Sequence, residues 1–133
     1  MPKRLTWDEA FNVGDEIIDA QHRRVLAQCN LVADQALPVT EESDRLFQQG
    51  LDALIGLMRQ HFTTEEASLA GRGSPELEEY RHAREEFEYL AAEIATTENF
   101  DKLELQRFLA LWLVGHILSD AKRASANEAM LLE

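Results

Sequence analysis

The chain has little cysteine and little basic charge, and each shortage excludes a class of protein. Of its 133 residues only Cys29 is a cysteine, so no internal disulfide can form. Cys29 falls on an apolar helical stripe, which favours a small buried thiol over a nucleophile. The 13 basic residues are outnumbered by 25 acidic ones, and the net charge of -12 argues against binding to nucleic acid or to an anionic membrane surface.

Long apolar segments are missing as well. No run of about 18 apolar residues occurs, so we expect no transmembrane span. The first residues, MPKRLTWDEAFNVGDE, contain neither the apolar core nor the small-residue cleavage site of a secretory signal, and we therefore expect a cytoplasmic protein. A content of 45% hydrophobic and 29% charged residues is typical of a globular protein, and the length suits a single domain over residues 1–133.

The usual patterns of catalytic residues are also missing. There is no arrangement typical of a serine or cysteine nucleophile and no glycine-rich phosphate loop. The segment GRG at 71–73 lies between two predicted helices and indicates a turn. We expect a binding protein and not an enzyme.

What the sequence does contain is four amphipathic stretches with apolar positions spaced by three and four residues. The predicted helices run from about Asp19 to Ala36, from about Glu41 to Leu69, from Pro75 to about Thr96, and from about Asp101 past Arg123. Thr40 is a candidate N-cap of the second helix, and Pro75 suits the first position of the third.

The short connections between these helices predict an all-α fold, an up-down-up-down antiparallel four-helix bundle. Residues 1–17 form an N-terminal arm in this prediction. Two aromatic residues of the arm, Trp7 and Phe11, are expected to pack across the bundle.

Seven polar side chains interrupt the apolar stripes and are predicted to point inward. They are His22, His61, Glu65, Tyr80, Arg84, His116 and Asp120. A buried charge is costly unless it is paired or bound to a metal. In two places a carboxylate follows a histidine by four residues, which puts both side chains on one helix face a turn apart.

Imidazole and carboxylate together suit iron, zinc or manganese, so the pattern indicates a buried metal site. The candidate ligands are His22, His61, Glu65, His116 and Asp120. The fourth histidine, His82, lies about 200° around the third helix from Tyr80 and is expected to be exposed. Glu79-x-x-His82 matches half of a ferritin-type di-iron motif, but Asp19-x-x-His22 is only a loose second copy, so we do not adopt that interpretation.

Several motifs resemble the hemerythrin family, in particular the single-domain bacterial hemerythrins. They are TWDEAFNVGDEIIDAQH at 6–22, HFTTEE at 61–66, the proline-led third helix and WLVGHI at 112–117. The resemblance covers nearly the whole chain and implies the same four-helix bundle. It also implies a non-haem di-iron centre, held by five histidines with bridging glutamate and aspartate carboxylates, that binds dioxygen reversibly at one iron. By this resemblance His22 and His61 would ligate the oxygen-binding iron, Glu65 would bridge, and His116 would ligate the other iron.

The third helix departs from the family pattern. Where the family has HxxxHxxF, this chain has Tyr80, Arg84 and Phe87 in the same register. Both third-helix histidines of the second iron are thus replaced, and His82 is out of register to restore them. On the fourth helix the family's bridging aspartate comes five residues after the histidine, whereas Asp120 comes four residues after His116, so a bridging role for Asp120 is an open question.

Three outcomes follow from these replacements. In the favoured one Arg84, near Glu65, takes the place of the second metal, and one non-haem iron remains with impaired binding or sensing of dioxygen or another small diatomic ligand. In the second no metal binds, an Arg84–Glu65 pair holds the core, and the chain is a structural, interaction or regulatory module. In the third Tyr80 ligates as a phenolate and two irons remain. The sequence does not indicate a protein partner or an oligomeric state.

Overall fold

The computed structural model describes the backbone of residues 1–132 and the side chains of residues 1–126. This part of the chain forms four α-helices and a short 3-10 turn at Glu9–Phe11, and it contains no strand. The helices are α1, Glu16–Asp34; α2, Glu41–Gly71; α3, Leu77–Thr96; and α4, Lys102–Leu132. The predicted all-α class is confirmed. No helix among the described residues has the length and apolarity needed to cross a membrane.

Side-chain caps determine where the first two helices begin. The Asp15 carboxylate accepts hydrogen bonds from the backbone N–H groups of Ile17 and Ile18, so α1 begins three residues earlier than predicted. The hydroxyl of Thr40 accepts from the Ser43 N–H, which confirms Thr40 as the N-cap of α2.

The start of α3 differs from the prediction. Pro75 and Glu76 form a turn, and the helix begins at Leu77. The Ser74 hydroxyl accepts a hydrogen bond from the Glu76 N–H, which satisfies a backbone donor within this turn. Pro75 therefore leads into the helix without being its first residue.

Contacts between neighbouring helices show that the helices run antiparallel to one another. The Gln28 side chain on α1 donates to the Gly50 carbonyl on α2, whereas His22, earlier on α1, contacts His61, later on α2. The same reversal relates α2 to α3 and α1 to α4. The structure thus has the predicted antiparallel four-helix bundle.

The core between the helices is apolar at its middle. Its largest cluster consists of Val25, Cys29, Leu54, Met58, Phe62, Leu69, Tyr80, Phe87, Ala91, Ala110 and Leu113. Cys29 is 1% exposed, and burial raises the pKa of its thiol to about 11, although a hydrogen bond from Gln106 opposes the change. The predicted small buried thiol is confirmed.

The segment before α1 packs on the bundle as predicted for its two aromatic residues. Phe11 is buried against Leu26 and Ile117, and Trp7 meets the Phe11 ring edge-on with 5.5 Å between ring centroids. Asp19 ties this segment to α1, because its carboxylate accepts hydrogen bonds from the backbone N–H groups that precede the helix.

Candidate metal centre

The five candidate ligands lie together in the interior of the bundle. α1 provides His22, α2 provides His61 and Glu65, and α4 provides His116 and Asp120; all five are buried. One ligand atom from each residue lies within 4.8 Å of every other. The structure therefore brings together, from three helices, every residue that the sequence analysis selected as a ligand.

His61 occupies the middle of this cluster. Its Nε2 atom lies 3.2 Å from Nε2 of His22, 3.1 Å from Nε2 of His116 and 3.0 Å from Oε2 of Glu65. Nitrogen and oxygen ligands bind a first-row metal at about 2.0–2.2 Å, so neighbouring ligands of one ion lie about 3 Å apart. The observed spacing matches donors that surround a single ion.

Asp120 reaches the cluster although it follows His116 by four residues and not by five. Its Oδ2 atom lies 3.1 Å from Nε2 of His22, 3.2 Å from Nε2 of His116 and 3.4 Å from Nε2 of His61. Burial raises the pKa of Asp120. Hydrogen bonds from His116, His22 and His61 lower this pKa by a larger amount, so it lies well below the usual range. Asp120 is therefore a buried anion facing three imidazoles.

A glutamine orients the central histidine. The Nδ1 atom of His61 lies 3.1 Å from Oε1 of Gln21, and an amide oxygen can only accept, so Nδ1 carries the hydrogen. The Gln21 amide nitrogen donates in turn to the Thr64 hydroxyl at 3.0 Å. Such support of the remote imidazole nitrogen is typical of metal-binding histidines, because it leaves Nε2 free to ligate.

The electrostatics of the cluster favour a positive charge at His61. Burial lowers the pKa of His61, but hydrogen bonds to Asp120 and Glu65 together with their negative charges raise it to about 9. The same two carboxylates would stabilise a metal cation for the same Coulombic reason.

Tyr80 faces the cluster as a neutral phenol. It is fully buried, and its hydroxyl donates to Oε2 of Glu65 at 2.9 Å and lies 3.4 Å from Nε2 of His61. Burial and the negative charges of Glu65 and Asp120 raise the pKa of Tyr80 far above its usual value. This environment supports a hydrogen-bond donor and argues against a phenolate ligand.

The expected pair between Arg84 and Glu65 is wrong. Nη1 of Arg84 contacts Oε2 of Glu66 at 2.6 Å, and the Arg84 side chain is 43% exposed. Arg84 is at the edge of the interface between α2 and α3, where its long stem packs while the guanidinium stays near water. It therefore pairs with the neighbouring, more peripheral carboxylate and does not enter the site.

A different arginine occupies the position that the sequence analysis assigned to Arg84. The guanidinium of Arg123 on α4 lies 3.7 Å from Glu65, 3.5 Å from Asp120 and 3.3 Å from Glu76, and its side chain is 17% exposed. It also lies over the Tyr80 ring, 5.3 Å from the centroid. The sequence carried a signal, because Arg123 follows Asp120 by three residues on the same helix face, but Arg123 is absent from the seven polar residues predicted to point inward.

His82 lies outside the cluster, as expected. Its side chain is 76% exposed and its nearest charged partner is Glu85, 3.6 Å away on the same helix. It serves as an internal control for histidine substitutions.

Two cavities adjoin the cluster. One of about 450 Å³ is bordered by Gly14, Asp15, Glu65, Glu76, Asp120 and Arg123, and another of about 300 Å³ is bordered by Trp112, His116, Ser119 and Arg123. The Trp112 ring stacks on His116 with 5.7 Å between centroids and 2° between planes. Both cavities thus border residues of the cluster, and Arg123 lines both.

The known proteins to which this chain is similar are of one kind. Residues 13–123 match the family model described as the hemerythrin HHE cation binding domain. The chain is 29% identical to a bacteriohemerythrin of Stenotrophomonas maltophilia (strain R551-3), over 87% of this chain and 76% of that protein. It is 23% identical to a myohemerythrin of Theromyzon tessulatum over 88% of each chain, and 25% identical to a hemerythrin-like protein of Naegleria gruberi over 88% of this chain and 87% of that one.

Proposed function

This chain belongs to the hemerythrin family, and on that premise we propose that it is a non-haem iron-binding protein with one metal per chain. The ligands are His22, His61, Glu65, His116 and Asp120. One observation carries the proposal: the five donor atoms lie within 4.8 Å of one another, a grouping of the size that surrounds one ion.

The donor set suits iron. Three imidazoles and two carboxylates are the ligand types of non-haem iron sites, and all five side chains are buried. The third helix offers Tyr80 and Arg84 where a second ion would need imidazoles, and neither is a suitable ligand in its present environment. These features support one ion over two.

A bound ferrous ion would supply a binding position for a small diatomic ligand such as dioxygen or nitric oxide. The protein's own contribution is to orient and shield that position. Gln21 fixes the His61 ring, the Tyr80 hydroxyl holds Glu65, and the two adjoining cavities give access from the surface. The reversible oxygen binding of a two-iron centre is not expected, and we assign the chain to binding or sensing and not to catalysis.

Iron analysis tests this proposal directly. Protein reconstituted with ferrous iron under nitrogen, then desalted, should contain about one iron per chain by elemental analysis. Addition of nitric oxide to this protein should produce a visible absorption change that protein without iron does not show. Two irons per chain would contradict the one-metal assignment, and no retained iron would contradict iron binding altogether.

A module that binds no metal is the second candidate, and one observation favours it. The cluster residues also hydrogen-bond one another, since Asp120 accepts from the imidazoles and Glu65 accepts from Tyr80. Such a network can satisfy buried polar groups without an ion. Absence of retained iron after reconstitution would select this alternative.

The glutamine that orients His61 provides a further prediction. Replacing Gln21 with leucine removes the acceptor for His61 Nδ1, and we expect iron affinity to fall by about 10–100-fold. Competition against a ferrous chelator measures the change. The control is Gln28→Leu, also on α1, because Gln28 bonds to the Gly50 carbonyl and is not part of the cluster. Equal affinities for the two variants would show that Gln21 has no role in orienting the ligand.

A further inference from the structure

The two carboxylates of the centre each present one oxygen to the histidines and the other to Arg123. Oε2 of Glu65 and Oδ2 of Asp120 face the histidines, 3.0 Å from His61 and 3.1 Å from His22 respectively. The other oxygen of each, Oε1 of Glu65 and Oδ1 of Asp120, faces the Arg123 guanidinium at 3.7 and 3.5 Å. A carboxylate that presents one oxygen to a cluster of ligand atoms and the other to a cation has the arrangement of a bridging ligand.

Arg123 is partly buried and loosely held. Its three ion pairs range from 3.3 to 3.7 Å, with Glu76 the nearest carboxylate. Three buried atoms at this point have no hydrogen-bond partner among the described residues: Nη1 of Arg123, Oδ1 of Asp120 and Oε2 of Glu76. The contacts are therefore Coulombic and not geometrically specific, as expected of a cation that neutralises charge among oxygens that could ligate an ion.

Arg123 places a fixed positive charge among three carboxyl groups, those of Glu65, Glu76 and Asp120. Arginine keeps its proton at all accessible pH values, so its contribution is permanent. A second divalent ion near Arg123 would meet like-charge repulsion from this guanidinium.

We propose that Arg123 occupies the place of a second metal ion and limits this centre to one. The inference rests on the proposed metal-binding function and adds the residue that determines the number of ions. Tyr80 assists, because its ring lies beneath the guanidinium while its hydroxyl holds Glu65. Without Arg123, the oxygens of Glu65, Glu76 and Asp120 would surround a space suited to a divalent cation.

Metal counting in Arg123 variants tests the proposal. Wild type, Arg123→Leu, Arg123→Ala and Arg123→Lys are loaded anaerobically with ferrous iron, desalted and analysed for iron per folded chain. We expect the leucine and alanine variants to gain about one iron relative to wild type, and the lysine variant to gain none because it retains the charge. The matched control is Arg84→Leu, which removes the arginine paired with Glu66 and should leave the iron content unchanged.

The ligands of the gained ion are tested separately. Adding Glu76→Gln to the Arg123→Ala variant should remove the gained iron, because Glu76 contacts Arg123 but none of the histidines. Circular dichroism establishes that each variant is helical, and the smaller alanine variant decides the question if the leucine variant does not fold. An iron content equal to wild type in Arg123→Ala would overturn the proposal, as would an equal gain in Arg84→Leu.

One-iron binding and the role of Arg123 are refuted by different results. Proposed one-iron binding is judged by the wild-type count alone, whereas the role of Arg123 is judged by the difference between variant and wild type. If wild type retains no iron and Arg123→Ala retains about one, iron binding by the native chain is refuted and the exclusion of a cation by Arg123 is supported. If neither retains iron, both are refuted.

Discussion

Replacing His61 with alanine is expected to abolish iron binding. His61 Nε2 is the atom on which the cluster converges, since it lies within 3.4 Å of donor atoms from His22, Glu65, His116 and Asp120. Loss of a direct ligand should weaken binding by more than about 100-fold, the upper range for changes that act only on the surroundings of a ligand. Elemental analysis after ferrous loading and desalting should find almost no iron.

The matched control is His82→Ala. This substitution removes the same side chain from an exposed position on α3, and iron content should equal that of wild type. Comparison of the two variants separates loss of a ligand from loss of a histidine in general. Full iron retention by a folded His61→Ala variant would show that the cluster is not the metal site.

Replacing Phe62 with alanine is expected to cause a large decrease in the free energy of unfolding. Phe62 is fully buried, and its ring packs 5.4 Å from Phe87, 5.6 Å from Tyr80 and 5.2 Å from His116, measured between centroids. Truncation of a buried phenylalanine costs about 3–5 kcal/mol in free energy of unfolding, because apolar surface is lost and the cavity only partly collapses. Urea unfolding followed by circular dichroism measures this cost.

Phe108→Ala is the control for this prediction. Phe108 is 51% exposed on α4, and its truncation should change the free energy of unfolding by no more than about 0.5 kcal/mol. Because the Phe62 ring also contacts a ligand, the Phe62→Ala variant should bind iron more weakly as well. A destabilisation below about 1 kcal/mol would contradict the tight packing that the structure shows around this ring.

The helices and their order were predictable because each is longer than four turns and its apolar positions repeat with the helical period. The boundaries were less so, since they depend on single caps and turns. Asp15 begins α1 before the predicted start, and the turn at Pro75 and Glu76 delays α3. These boundaries depend on local hydrogen bonds, which the spacing of apolar positions does not predict.

The ligand set was predictable for a related reason. A histidine on an apolar stripe points to the bundle interior, and a carboxylate four residues later must share its face. The structure places all five selected side chains together. What spacing left open was whether Asp120, four residues after His116, reaches the other helices, and the packing of α1 against α4 decides that it does.

By itself the sequence determined the bundle, six of the seven polar residues predicted to point into it, and the replacement of two histidines on the third helix. Only the tertiary structure decided which arginine lies beside the carboxylates. Arg84 and Arg123 have long side chains with many rotamers, so the direction of each guanidinium depends on the neighbouring helices and not on its own register. Arg84 pairs with Glu66 at the edge, while Glu65, Glu76 and Asp120 together surround Arg123, because several converging carboxylates stabilise a fixed cation more than one does.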